Sequence, residues 1–96
     1  MFKVGSLVRL KVWCLGNDVG TIGVCYEVYN FGDYTGYSFI FENGNYDGFS
    51  PEECDRFLKE IGRYPLIYTF ENVIKLDRDF RNGLFESVFN LARTIQ

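Results

Sequence analysis

The most informative part of the sequence is Tyr37–Phe49, which reads YSFIFENGNYDGF. Aromatic residues recur at every second position from 37 to 41, which is the period of a strand with one buried face. Asn43-Gly44 then precedes a second short segment, Tyr46–Phe49. Asn-Gly is the strongest short hairpin signal, because both central positions of a type I′ turn need a positive φ. The sequence therefore predicts a hairpin of two strands here.

Two further strands are predicted upstream of this hairpin, over Ser6–Trp13 and Thr21–Tyr29. Apolar and polar residues alternate in both segments, as they do in a half-buried strand. The alternating apolar positions are Val8, Leu10 and Val12 in the first segment and, all on one face, Ile22, Val24, Tyr26 and Val28 in the second. Turn residues at 16–20 separate these two predicted strands.

The chain after the hairpin is predicted to form a helix, a fifth strand and a second helix. Ser50, Pro51 and Glu53 are typical of a helix start with a capping box, and apolar residues at helical spacing continue towards Gly62. We therefore expect a helix over 50–62. Residues 66–76 are rich in β-forming residues and predict the last strand, and an apolar stripe predicts a C-terminal helix over about 83–95.

The composition indicates one small domain over residues 1–96. Of these residues 47% are hydrophobic, which is enough for a core, and 19% are aromatic. The sequence contains no His, the residue most often used as a general base and as a metal ligand. We therefore predict a protein that is not an enzyme and that has no cofactor and no metal site.

The three cysteines, Cys14, Cys25 and Cys54, fit neither a closed disulfide framework nor a paired zinc knuckle, because their number is odd and their spacing is wide. The sequence shows no secretory signal and no apolar run long enough to span a membrane. These features predict a cytoplasmic protein without a membrane partner. Cys25 is interpreted as structural rather than nucleophilic, because the acids near it in sequence would raise the pKa of its thiol.

Residues 12–55 contain eight acidic residues and no Lys or Arg, although the formal net charge of the chain is only −3. Nucleic-acid binding depends mainly on Lys and Arg side chains that contact phosphates. This segment therefore predicts no direct nucleic-acid binding and attraction to a basic partner. The alternative interpretation is that dispersed acids only keep a small protein soluble.

The predicted strand order resembles that of the SH3-like small barrels, a group that includes Tudor and KOW modules. The residues that carry the resemblance are Val8–Leu10, Gly20–Val24, Tyr37–Gly44, Phe49 and Phe70–Leu76. The resemblance implies a mainly β (β+α) fold: a five-stranded SH3-like barrel over about residues 6–76, with an inserted helix at 50–62 and a C-terminal helix. The chain is similar in this respect to small proteins of bacteria and their phages. The resemblance implies no activity, since a fold does not determine a function.

Tyrosines and acids are concentrated in the two loops around Tyr34 and Asn43. We interpret the chain as a non-enzymatic protein-interaction module that binds a protein partner through an acidic, tyrosine-rich face, because Tyr supplies a large contact area at a small entropy cost. The residues assigned to this face are Tyr29, Asp33, Tyr34, Tyr37, Tyr46 and Asp47. The resemblance to Tudor-like barrels implies a narrower alternative, in which some of these rings form a cage for a methylated cation.

A second interpretation of the charge pattern is a phage or mobile-element inhibitor whose acidic face blocks a nucleic-acid-binding protein. Salt would weaken such an inhibitor steeply, whereas apolar burial by tyrosines is not screened.

The apolar stripe of the C-terminal helix also has two interpretations. It either packs across an open end of the barrel or remains exposed as a homodimer contact or a site for a partner helix. Its members are Leu84, Phe85, Val88, Phe89, Leu91, Ala92 and Ile95.

Overall fold

A five-stranded antiparallel sheet forms the centre of the protein in the computed structural model, which describes residues 2–14 and 16–95. The strands are β1 (Ser6–Leu10), β2 (Ile22–Phe31), β3 (Tyr34–Phe41), β4 (Tyr46–Phe49) and β5 (Leu58–Arg63). Their order across the sheet is β4-β3-β2-β1-β5, so β5 returns to the free side of β1. The β+α class with five strands is confirmed. Within the described ranges β4 and β5 do not pair, and the sheet is not closed into a barrel.

The hairpin expected in Tyr37–Phe49 is confirmed as β3 and β4, but its turn is not the expected two-residue type. The Gly44 N–H donates to the carbonyl of Phe41 at 2.8 Å, and the Phe41 N–H donates to the carbonyl of Asn45 at 2.8 Å. Gly44 has a φ of 90°, in the left-handed region that a residue without Cβ adopts without strain. The loop therefore consists of a turn followed by a glycine bulge.

The first helix, α1 (Pro51–Phe57), begins as predicted. The Ser50 hydroxyl accepts the Glu53 N–H, and the Glu53 carboxylate accepts the Ser50 N–H at 2.9 Å, so both halves of the capping box are present. The helix ends at Phe57, however, and the expected continuation to Gly62 is wrong. Leu58–Arg63 instead pairs with β1, because a buried strand needs hydrogen-bond partners on both of its edges.

The strand expected over 66–76 is also wrong. Residues 64–72 have no regular structure, and α2 (Val73–Arg81) follows them. The Asn72 side chain accepts the Lys75 N–H and so caps this helix, while ion pairs four residues apart support its exposed side. The C-terminal helix is confirmed as α3 (Glu86–Ala92), which is shorter than the predicted 83–95.

Each face of the sheet carries its own apolar cluster. We call the two faces the α1 face and the α2/α3 face, after the helices that cover them. The α1 face buries Val8, Leu10, Cys25, Tyr37, Phe39, Phe41 and Phe49 together with Cys54 of α1 and Leu58. The α2/α3 face buries Leu7, Ile22, Val24, Tyr26 and Ile40 together with Leu76, Phe85, Val88, Phe89 and Ala92 of the C-terminal part. Phe85, Val88, Phe89 and Ala92 of the C-terminal stripe therefore pack on the sheet face rather than across a barrel end, whereas Leu84 and Leu91 are exposed.

A bulge in β2 changes which side chains share a face. Cys25 lies opposite Phe39, but Glu27 lies opposite Ser38, so Tyr26 is the extra residue. Directly opposed residues of an antiparallel pair lie on the same face. The bulge therefore places Tyr26 and Glu27 together on the α2/α3 face, and the expectation that Val28 shares the face of Tyr26 is wrong.

Candidate functional site

An open groove of about 610 Å³ lies on the part of the α2/α3 face that α2 and α3 do not line. We call it the tyrosine groove. It is lined by Tyr26, Glu27, Tyr29, Ser38, Tyr46, Asp47, Gly48 and Phe70. Three strands of the sheet form its base, and Phe70 comes from the irregular segment before α2. The groove is therefore built on regular backbone, which can hold side chains in fixed positions.

The Tyr29 ring lies directly over two glycines of the neighbouring strands. A Cβ added to Gly36 would lie 2.3 Å from Cζ of Tyr29, and a Cβ added to Gly48 would lie 2.7 Å from its phenol oxygen. The ring therefore crosses β3 and its phenol oxygen reaches β4, and a side chain at 36 or 48 would displace it from this position. The two glycines make Tyr29 an aromatic platform fixed against the sheet.

Tyr26 forms the buried wall of the groove. Its ring centroid lies 5.3 Å from that of Phe70, and its side chain is almost fully buried. Burial, together with the nearby Glu27, raises the pKa of the Tyr26 phenol to about 12, although a side-chain hydrogen bond with Ser38 opposes this shift. Tyr26 is therefore a neutral phenol at physiological pH.

Glu27 is the carboxylate that the bulge brings into the groove. The Ser38 hydroxyl donates to Glu27 Oε1 at 3.3 Å. Glu27 takes part in none of the ion pairs found among the described residues, and no described residue that lines the groove is Lys or Arg. The groove thus combines aromatic walls with a carboxylate that forms no ion pair with any of the residues that the structure describes.

The structure brings three of the six residues assigned to the partner-binding face to the groove, since Tyr29, Tyr46 and Asp47 line it. Asp47 lies at the edge of the groove, because it is paired with Phe39 of the α1 face in the β3–β4 register. Tyr34 is exposed and lies two residues before Gly36 in β3, so it belongs to the same face. Asp33 is exposed in the turn between β2 and β3 and does not line the groove.

Tyr37 does not belong to the proposed face. Its side chain is 5% exposed in the cluster on the α1 face, where its ring packs edge-on against Phe2 at 5.6 Å. The assignment of Tyr37 as a partner-binding residue is therefore corrected: the strand alternation directs it into the core.

The side chain of Asp47 accepts the N–H of its neighbour Gly48 at 2.8 Å.

Sequence reasoning missed the other lining residues of the groove. The sequence pattern predicts only a core position for Tyr26, and it predicts for Glu27 only that it is one of the eight acids of residues 12–55 and lies near Cys25. The missing information is the bulge, which depends on the pairing of β2 with β3 and has no local sequence signal. Phe70 was assigned to a strand, although it belongs to the irregular segment that lies beside Tyr26.

The acids of residues 12–55 do not gather on one side of the molecule. Glu42 forms an ion pair with Arg93 at 3.5 Å, and Glu53 is used in the capping box of α1. A second, smaller cavity of about 260 Å³ next to Glu42 is lined by two arginines and two glutamates, so its charges balance. Glu27 in the tyrosine groove therefore differs from Glu42 and Glu53, since within residues 2–14 and 16–95 no ion pair and no helix cap involves it.

The cysteines are free thiols, and Cys25 and Cys54 are buried. Burial raises the pKa of each of these two thiols to about 12, and the Cys25 thiol donates to the carbonyl of Glu27 at 3.4 Å. Burial and the nearby Asp47 and Glu53 also raise the pKa of the Cys14 thiol. All three thiols are therefore protonated at neutral pH and poor nucleophiles.

Over residues 2–14 and 16–95 no group of three or more acidic or Cys side chains is placed to hold a metal ion. None of the helices in this part of the chain is long and apolar enough to cross a bilayer. Comparison with protein-family models, with curated proteins and with solved structures finds no match to the chain.

Proposed function

We propose that the protein is a non-enzymatic interaction module that docks a protein partner in the tyrosine groove. The observation that carries this proposal is the Tyr29 ring held over Gly36 and Gly48 beside an open groove. Exposed, rigid aromatic side chains supply much contact area and lose little conformational entropy on binding.

The groove also has the layout expected of a docking site. Its inner wall consists of the aromatic rings of buried Tyr26 and partly buried Phe70, and Tyr46 at its edge is 38% exposed. Tyr34 extends the aromatic surface along β3 towards the turn. Protein interfaces have this organisation of an aromatic centre with a more exposed rim.

We further propose that the sheet is an SH3-like barrel that remains open between β4 and β5. The strand order, with β5 returning to β1 and a helix between β4 and β5, supports this assignment. The free thiols support a reducing compartment such as the cytoplasm.

Quantitative binding to a partner isolated from the native host tests the docking proposal. We expect Tyr46→Ala and Tyr29→Ala each to weaken binding of that partner at least about tenfold, as for central interface aromatics. Trp13→Ala is the matched control, because Trp13 is 66% exposed but does not line the groove. If Trp13→Ala abolished binding while both groove variants bound normally, the docking site would lie elsewhere.

The alternative function, an inhibitor that presents a broad acidic face to a nucleic-acid-binding protein, has less support, because the acids are dispersed. The two functions differ in their response to salt. Docking led by tyrosines should lose little affinity between low and physiological salt, whereas an acid-led inhibitor should lose affinity steeply.

A further inference from the structure

We infer that the tyrosine groove receives an arginine side chain of the partner, with the guanidinium on Glu27 and against the aromatic rings. This inference rests on the proposed docking function and names the chemistry that the groove recognises.

The charge of the groove favours a cationic side chain. Glu27 is half-buried, its carboxylate accepts a hydrogen bond from the neutral Ser38 hydroxyl, and none of the ion pairs among the described residues includes it. A neutral partner that covered the groove would remove water from this carboxylate without supplying an opposite charge, and this desolvation is costly. A cationic side chain would offset that cost, because it supplies a charge-assisted hydrogen bond in the same place.

The aromatic walls of the groove also favour a guanidinium. Tyr29 lies against the sheet, Tyr46 follows on β4, and Tyr26 with Phe70 closes the inner side. Cations are attracted to the faces of such rings, and arginine also stacks on them through its planar guanidinium. The groove thus presents both features that a guanidinium uses, a carboxylate and ring faces.

Arginine fits these features better than lysine or an anion. The guanidinium has several donors in a fork that matches a carboxylate, and it is less strongly hydrated than an ammonium group. A phosphate or a carboxylate ligand would be repelled by Glu27 and by Asp47 at the edge of the groove. The segment that binds is therefore an arginine-bearing stretch of protein.

The test is a titration of the ¹⁵N-labelled protein with the peptide acetyl-Gly-Arg-Gly-amide, followed by NMR. The matched control peptide carries citrulline, which has nearly the same shape as arginine but no charge. We expect saturable shifts of the amide signals of Gly36, Ser38 and Gly48, with the citrulline peptide binding at least about tenfold more weakly. The lysine peptide should bind with intermediate affinity.

Two variants locate the charge that matters. Glu27→Gln should weaken the arginine peptide at least about fivefold and make its affinity similar to that of the citrulline peptide. Glu52→Gln removes the same charge from α1, on the opposite face of the sheet, and should leave the affinity unchanged. If Glu27→Gln does not fold, titrations of the unmodified protein at increasing salt still test the role of charge: the affinity for the arginine peptide should fall as salt rises, and an affinity independent of salt would overturn the inference.

Equal affinity for the arginine and citrulline peptides, an unchanged affinity in Glu27→Gln, shifts centred outside the groove, or no shifts at millimolar peptide would each overturn the inference. Its failure is distinguishable from failure of the docking function. If the peptide does not bind but Tyr46→Ala still weakens the native partner, the groove docks a different side chain. If the peptide binds but groove variants leave the native partner bound, the docking proposal fails.

Discussion

At the scale of single residues, the contact of Tyr29 with the two glycines determines the shape of the groove. Alanine in place of a strand glycine is ordinarily neutral or favourable, because glycine weakens a strand. At Gly36 the added Cβ would lie 2.3 Å from the Tyr29 ring, so the ring must move. At Gly36, replacement of glycine by alanine should therefore destabilise the fold, although at most strand positions it is neutral or favourable.

We predict that Gly36→Ala lowers the free energy of unfolding by about 1–3 kcal/mol, the usual cost of overpacking. The control is the same substitution in a Tyr29→Ala background, where the clash is absent. Denaturant unfolding of the four proteins in this cycle should give a coupling energy of at least about 1 kcal/mol. Additive effects of the two substitutions would show that the ring does not rest on Gly36.

A second residue-scale contact joins the irregular segment to α2. The Tyr68 hydroxyl donates to Asp79 Oδ2 at 2.7 Å, and the Lys75 ammonium donates to the same oxygen at 2.8 Å. These two hydrogen bonds, that of Lys75 first, hold the pKa of Asp79 below its usual value of 3.8. A carboxyl with a lowered pKa stabilises the folded state above its unfolded pKa, and this contribution is lost as the pH falls through the folded pKa.

We therefore predict that Asp79→Asn lowers the free energy of unfolding by about 1–2 kcal/mol near neutral pH. The difference from the unmodified protein should shrink as the pH is lowered through 3.8 and below, where Asp79 itself becomes protonated. Asp77→Asn is the matched control, because the Asp77–Arg81 pair is more exposed and should contribute less than about 0.5 kcal/mol. A constant difference for Asp79→Asn down to pH 2 would contradict the assignment.

At the scale of elements, α1 has only seven residues, so its capping box is a large part of its local stability. We predict that Ser50→Ala lowers the free energy of unfolding by about 1 kcal/mol, because the Glu53 N–H loses its acceptor. Glu53→Gln is the control, since Gln also serves at that position of a capping box and should cost much less. Equal effects of the two substitutions in chemical denaturation would contradict the role of the cap.

The elements also show which parts of the fold the sequence predicts. The β3–β4 hairpin and the start of α1 follow from local signals, the aromatic alternation before Asn43-Gly44 and the Ser50–Glu53 box. The end of α1 does not, because Leu58 and Ile61 continue a helical stripe while the open edge of β1 requires a strand there. Local preference is weak compared with the demand of a buried strand for hydrogen bonds.

The same limit applies to the groove. Tyr29, Tyr46 and Asp47 could be assigned because tyrosines and acids are concentrated around the two turns beside them. Glu27 could not, because a shift of one residue in the pairing of β2 with β3 decides which face it joins. The part of the site that depends on register across strands was therefore not predictable from local sequence.

At the scale of the whole molecule, one sheet contributes side chains to both apolar clusters, because alternate residues of each central strand lie on opposite faces. Leu7 and Val8 of β1 show this directly, since each is fully buried on a different face. Loss of packing on either face should therefore destabilise the common sheet, and we expect the molecule to unfold in one cooperative transition. The shape of the tyrosine groove should therefore also depend on the packing of both faces, since the same strands form its base.

Phe85 tests this coupling on the α2/α3 face. Its side chain is 1% exposed, and its ring centroid lies 5.3 Å from that of Tyr68. We predict that Phe85→Ala lowers the free energy of unfolding by about 3–5 kcal/mol. Leu84→Ala is the matched control, because Leu84 is the preceding residue but is 47% exposed and should cost less than about 0.5 kcal/mol. The measurement is denaturant unfolding followed both by near-ultraviolet circular dichroism and by the NMR signals of the α1 face. Separate transitions for the two probes would show that the two clusters unfold independently, whereas a cost below about 1 kcal/mol for Phe85→Ala would show that Phe85 is not packed as described.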